Sequence, residues 1–146
     1  MSTILRVMTF NVNGLSDYEG PNEYESANTW ANRAQLHYNL IARWSPDLIG
    51  LQEVTDEALA TYRSQLTGYA SVTGNRYGDT PPQEQTPIFW KQDRFMLVAS
   101  GEFWFSRTPD VESSDFGLDY PMGATWVKLA ERTTGAQLVH LNTHFE

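Results

Sequence analysis

Leu48-Ile-Gly-Leu-Gln-Glu-Val54 is a short apolar run that delivers a single carboxylate, Glu53, to the point where a strand gives way to a helix. Apolar or small residues followed by a polar pair fit a buried strand whose end emerges at the open edge of a sheet. Ser45-Pro46-Asp47 breaks a preceding helix, and Thr55 can cap a following one, with Asp56 and Glu57 in the first turn where the helix dipole favours acids. Those two acids are explained without chemistry. Glu53 is not: a solvated carboxylate is one account and a metal ligand the other, and the rest of the chain has to decide.

Toward the N-terminus, Ile4 to Val12 is rich in β-branched and apolar residues and reads as a buried strand. It ends at Asn11-Val-Asn13-Gly14, a turn signal that places both amides where the strand leaves the sheet. Leu15 to Asn28 is a polar loop, longer than most connections, a length that accompanies function. Asn28-Thr29 supplies a cap for a helix to about Trp44, with Trp30, Ala34, His37, Leu40, Ile41 and Trp44 at helical spacing. His37 lies on that stripe and reads as a packed core residue rather than a ligand.

Toward the C-terminus, the helix begun at Thr55 runs to about Leu66 and Gly68 ends it. Strand patterns follow at Tyr69 to Thr73, Pro87 to Lys91 and Arg94 to Ser106, the last with Gly101 as the place for a bulge. A loop from Gly74 to Gln85 and an acidic, serine-containing loop from Pro109 to Pro121 separate them from Ala124 to Ala130 and Ala136 to Thr143, which Glu131 to Gly135 joins as a hairpin. Helix-bearing connections early and a meander late predict a single α/β domain, its mixed sheet mainly antiparallel with helices on one face.

Composition narrows the function classes. The chain of 146 residues carries a formal net charge of −8, so its surface as a whole repels phosphate backbones and acidic membranes. A polyanionic ligand must then be held by a cation or a few placed basic groups. Without cysteine there is neither a disulfide framework nor a thiolate metal site. No apolar run reaches transmembrane length and Met1-Ser-Thr lacks the pattern of a signal peptide, so a soluble cytoplasmic protein is the expectation.

The final stretch, Leu138-Val-His-Leu-Asn-Thr-His-Phe-Glu146, is another apolar strand that releases Asn142 and His144 at its end. His140 and His144 share a face, but four residues of strand separate them by roughly 13 Å, too far to grip one ion. What remains are the strand ends at Asn11 with Asn13, at Glu53, and at Asn142 with His144. If the strands are neighbours in one sheet, these groups meet on one rim, where open sheets bind ligands. A lone hard oxygen ligand there suits magnesium, which keeps several waters and takes one or two carboxylates plus a phosphate oxygen. Amides and a histidine can hydrogen-bond a phosphate as charge builds.

The same residues carry a resemblance. Thr9-Phe-Asn-Val-Asn-Gly14, Asp47-Leu-Ile-Gly-Leu-Gln-Glu-Val54 and Leu141-Asn-Thr-His-Phe145 resemble the first, second and middle motifs of the endonuclease/exonuclease/phosphatase superfamily. Pro87-Ile-Phe-Trp90 and Gly101-Glu-Phe-Trp-Phe-Ser106 with Thr108-Pro-Asp110 resemble a bacterial branch of it. The resemblance implies a four-layered α/β sandwich and a magnesium-dependent phosphoester hydrolase, with manganese as an alternative ion. It places Glu53 as the metal ligand, Asn11 and His144 as catalytic groups on metal and phosphate, and Asn142 and Asn13 in supporting places on the substrate side. Asn142 would shape its strand end.

The family's later motifs, a Gly-Asp-Phe-Asn segment and a terminal Ser-Asp-His segment, are absent from these 146 residues. By resemblance, 1–146 is then the N-terminal part of the domain, without the base that activates water and with much of the second sheet missing. The expectations are a weak or inactive chain, and an apolar sheet face that drives self-association or takes a complementing C-terminal half. The alternative is a truncated or degenerate binding module without catalysis. The substrate stays open between a small phosphoester and DNA or RNA: Arg33, Arg76 and Arg107 are scattered, and Trp30, Tyr77, Trp90 and Trp104 read as core more readily than as base-stacking residues.

Overall fold

Every residue of Leu48–Gln52 is buried, which a strand achieves only when both faces of its sheet are covered. The computed structural model, which describes residues 4–14, 29–74 and 84–145, shows how. The elements are β1 (Val7–Asn11), α1 (Trp30–Trp44), β2 (Leu48–Gln52), α2 (Asp56–Gln65), β3 (Tyr69–Val72), β4 (Ile88–Lys91), β5 (Phe95–Trp104), β6 (Gly123–Glu131) and β7 (Gln137–Thr143). The loops expected at 15–28 and 75–83, with Arg76 and Tyr77, lie outside the described residues.

The strands form two sheets, as the sandwich implied by the resemblance requires, whereas the strand pattern alone reads as one mixed sheet. The first has the order β1-β2-β4-β3, the second β5-β6-β7. β1 and β2 run parallel, from Val7 opposite Leu48 to Asn11 opposite Gln52, and α1 lies in the crossover such a pair requires. The remaining pairs are antiparallel. Alternation along β2 splits its side chains between two cores. Ile49 and Leu51 join Trp30, Ile41, Leu59, Tyr62 and Phe89 beneath the helices, while Leu48 joins Ile88, Trp90, Phe95, Val127 and Leu129 between the sheets. The result is an α/β sandwich of helices, first sheet and second sheet. A single apolar run cannot say which of its alternating faces meets helices and which meets strands, so the sequence alone does not reveal the second sheet.

Local chemistry sets the ends of the helices. Thr55 Oγ1 accepts the N–H of Ala58, with Asp56 and Glu57 in the first turn of α2, as expected. α1 follows Thr29, whose side chain makes no capping bond, and stops at Ser45 in the left-handed region with its N–H on the Ile41 carbonyl. His37 packs as predicted, its Nδ1 2.8 Å from the Tyr62 hydroxyl and its ring 4.8 Å from that of Phe10. Burial, then the charge of Arg33, holds its pKa below the ordinary histidine value. The bulge of β5 falls between Leu97 and Ala99 instead of at Gly101. Gly101 answers a different need, since a Cβ there would come within 2.9 Å of the Trp126 ring.

The three strands of the second sheet cover the face of the first that the sequence leaves apolar. Apolar exposure moves to the outer face of the second sheet, where Met96, Val139 and Leu141 are open to solvent. Among the described residues no helix is long and apolar enough to cross a membrane.

At the end opposite the strand termini of interest, one buried carboxylate ties the sheets together. Asp47 accepts the N–H of Arg6 at 2.9 Å and pairs with Arg94 Nη1 at 2.8 Å and Lys91 Nζ at 3.4 Å. Arg94 Nη2 also reaches Glu131 Oε1 at 3.0 Å, at the end of β6. Burial alone would raise the pKa of Asp47, but the Arg6 N–H and the charges of Arg94 and Lys91 outweigh it and hold the carboxyl below the usual range. A depressed folded-state pKa contributes stability that is complete above the unfolded value and is lost as pH falls through the folded one. Urea midpoints should therefore drop on acidification below the ordinary carboxylate range, and Asp47→Asn should flatten that drop. Arg94→Met, which takes the shared guanidinium from two buried carboxylates, should cost about 3 kcal/mol at neutral pH; a loss under ~0.5 kcal/mol would show that the network does not join the sheets.

Candidate functional site

β1 ends at Asn11, and the chain turns immediately. The N–H of Asn13 donates to Asn11 Oδ1 at 2.8 Å, a side-chain turn of the kind asparagine favours. That bond fixes the amide: with its oxygen engaged, Nδ2 donates to Glu53 Oε1 at 2.7 Å and lies 3.1 Å from His144 Nε2. Gly14 follows, where a Cβ would sit 1.9 Å from the Glu53 carbonyl oxygen. Only glycine lets the turn pass so close to the end of β2.

Glu53 has φ 58°, in the left-handed region that residues other than glycine seldom occupy. Its neighbours impose this. The Gln52 carbonyl accepts from Val12 N at 3.0 Å, and Val54 exchanges backbone bonds with Gln85 at 3.1 and 2.9 Å. Between the Gly50–Ile88 pair and the Val54–Gln85 bridge the register slips by one residue, so the strand bulges there and the Glu53 side chain turns onto the rim. Such a conformation stores about 1–3 kcal/mol and persists only where the surroundings dictate it.

His144 arrives from the second sheet. Asn142 is buried, donates Nδ2 to the carbonyls of Leu51 at 2.7 Å and Pro87 at 3.1 Å, and accepts from Gln52 Nε2 at 2.6 Å. A Cβ at Gly50 would lie 2.6 Å from Asn142 Oδ1, so the missing side chain of Gly50 makes the seat. Two residues beyond, on the same face of β7, His144 reaches the rim. The strand ends thus converge across two sheets rather than within one. Asn142, placed by resemblance on the substrate side, has its amide engaged inside the protein and shapes the strand end. His140 stays below, with Nε2 buried and no hydrogen-bond partner among the described residues, and burial lowers its pKa.

The rim therefore holds an amide, a carboxylate and an imidazole in mutual contact, with His144 Nε2 3.4 Å from Glu53 Oε1 and both side chains about one-fifth exposed. As a neutral ring His144 can accept from Asn11; protonated, it forms an ion pair with Glu53. Asn13 is exposed beside them. Among the described residues no group of three or more Asp, Glu, His or Cys could hold a metal. Glu53 is the one carboxylate in contact with Asn11 and His144 among the described residues. Trp30, Trp90 and Trp104 are buried and belong to the packing, not to an exposed stacking surface.

Sequence reasoning missed Gly50, Gln52 and Gly14 as parts of the support. A glycine inside an apolar strand is itself a signal of close approach, which Gly50 fulfils. Gln52 gives no such signal, since its partner Asn142 lies 90 positions away.

Comparison with known proteins bears on the family and the fold. The model of the Endonuclease/Exonuclease/phosphatase family matches residues 8–132. An endonuclease/exonuclease/phosphatase from Bacteroides vulgatus is 27% identical, with a TM-score of 0.84 over 99% of this chain and 54% of that one. The mannosyl-6-phosphatase of Bacteroides thetaiotaomicron is 26% identical, with a TM-score of 0.82 over 98% of this chain and 52% of its own. The human nocturnin catalytic domain, solved with a sulfate anion, is 22% identical at a TM-score of 0.72, over 97% of this chain and 49% of that one, a likeness of fold. The chain spans about half the length of these solved structures. A search among curated proteins gives no match.

Two substitutions separate strain from support. Glu53→Asn, which suits the left-handed region, should raise the unfolding free energy by about 0.5–1 kcal/mol in urea titrations; a loss of stability would contradict the strain. Asn142→Leu leaves the Leu51 and Pro87 carbonyls and the Gln52 amide buried without this partner and should cost about 3 kcal/mol by the same measurement.

Proposed function

Since the chain belongs to the endonuclease/exonuclease/phosphatase family, whose members cleave phosphate esters, we propose that its rim is the metal-holding side of a phosphoester hydrolase site. The observation that carries this reading is the contact of Asn11, Glu53 and His144 at 2.7 to 3.4 Å, brought together from β1, β2 and β7.

In this reading Glu53 holds a magnesium ion, or manganese in its place, through a carboxylate oxygen. When bound, the ion neutralises charge on the phosphate oxygens and orients the ester. The chain's own groups do the rest. Asn11 Nδ2 fixes the carboxylate and offers N–H to a phosphate oxygen, and His144 offers Nε2 to the phosphate or the leaving oxygen. Asn13 stands at the exposed edge where the substrate enters.

We favour a small phosphoester of the sugar-phosphate class over nucleic acid. The net charge of −8 opposes a long polyanion, and a relative at 26% identity is a mannosyl-6-phosphatase. His144 is the one imidazole in the cluster and is already engaged by Asn11 and Glu53, so turnover by these 146 residues alone is expected to be weak. A complementing C-terminal half, or self-association through the apolar outer face of the second sheet, would raise it.

Calorimetric titration with Mn2+, with and without Glu53→Ala, tests the site directly. Binding should be lost in the variant; binding that persists would overturn the assignment of Glu53. Hydrolysis of mannose 6-phosphate and bis-p-nitrophenyl phosphate in Mg2+ should be slow and Glu53-dependent. Metal binding without any hydrolysis, even on adding a C-terminal half, would favour a binding module.

A further inference from the structure

We propose that Arg33 is a positioning residue for this site: through the Val12 and Asn13 carbonyls it fixes the turn that aims Asn11 at Glu53 and His144. Its bearing on metal binding rests on the reading of the rim given above. Its geometry does not.

Arg33 stands in the first turn of α1, with its guanidinium 5.8 Å from the ring centroid of Trp30. Nη1 donates to the Val12 carbonyl at 2.5 Å and Nη2 to the Asn13 carbonyl at 3.1 Å. Both carbonyls lie past the end of β1, where the ladder to β2 stops. Asn13 has φ 54°, a left-handed conformation that asparagine tolerates. A rigid fork gripping the Val12 and Asn13 carbonyls holds the turn there against the other conformations open to it. The consequence passes along the chain, because the N–H of Asn13 is what binds Asn11 Oδ1 and leaves Nδ2 facing the carboxylate. Released, the Asn11 amide is free to rotate and present its oxygen to Glu53, which repels it.

The guanidinium suits this task for a geometric reason. Two donors in a plane meet two carbonyls on one turn, whereas lysine offers a single ammonium on a flexible stem. Charge alone is not enough. The partners of catalytic and metal-ligating groups commonly matter by about 10–100-fold in metal affinity, and Arg33 stands one step further back.

The test compares wild type, Arg33→Met and Arg33→Lys by the side-chain amide protons of Asn11 in 1H–15N spectra, by Mn2+ affinity and by urea midpoint. In wild type the two amide protons should be well separated, one held by Glu53. In both variants they should move toward the values of unbonded asparagine and Mn2+ affinity should fall about 10-fold, with cooperative unfolding retained. Unmoved Asn11 protons would overturn the proposal, as would full rescue by lysine, which would make the effect one of charge. Should Arg33→Met not fold, Arg33→Lys carries the same readouts, and failure of both to fold would reduce Arg33 to a structural brace. If wild type itself binds no Mn2+, the metal reading of the rim fails while the Asn11 protons still decide the role of Arg33.

Discussion

The side-chain amide of Asn142 is the interaction on which the rest of the structure depends. It replaces strand pairing as the link between two sheets that share no backbone ladder, taking the carbonyls of Leu51 and Pro87 and the amide of Gln52. Buried carbonyls take donors where they can: Pro87 also accepts from the Leu51 N–H, and Asn142 reaches both carbonyls from the second sheet. Gly50 completes the seat by leaving out a side chain. Shape and hydrogen bonding thus fix the lateral position of β7 over β2, and with it the place of His144.

The opposite end of the sandwich solves the same problem with charge. Asp47, Lys91, Arg94 and Glu131 join the starts and ends of strands from both sheets. A buried ion network adds little net stability over an apolar substitute, but it is unforgiving of the loss of one member. Sheets bolted by an amide at one end and by ions at the other cannot slide or swivel. A rim assembled from both needs that rigidity, since its groups meet at hydrogen-bond distances.

Much of this was legible in the chain. Local signals placed the helices and strands within a few residues, because capping at Thr55, the break at Ser45-Pro46 and the alternation of the strands act over short spans. The strand ends carrying Asn11, Glu53 and His144 were legible for the same reason. Their meeting across two sheets was not, because alternation tells which residues share a face and not what that face meets. Gly101 misled: a glycine in a strand marks close approach as well as bulges, and there it admits the Trp126 ring. Arg33 read as one of several scattered cations, since its carbonyl partners have no signature in sequence.

The separation of the groups that meet on the rim also sets an order of events. Asn11 and His144 are 133 positions apart, and Asn142 is 91 from Leu51. Contacts of such span close the longest loops and form late in folding. As the chain leaves the ribosome, the helices, the first sheet and the β5–β6 pair can assemble while β7 is still unmade, with Glu53 without its histidine. Val127 and Leu129 of β6 already cover the second core, so the site matures only when β7 seats Asn142 and brings His144 to the rim, a step after burial rather than part of it.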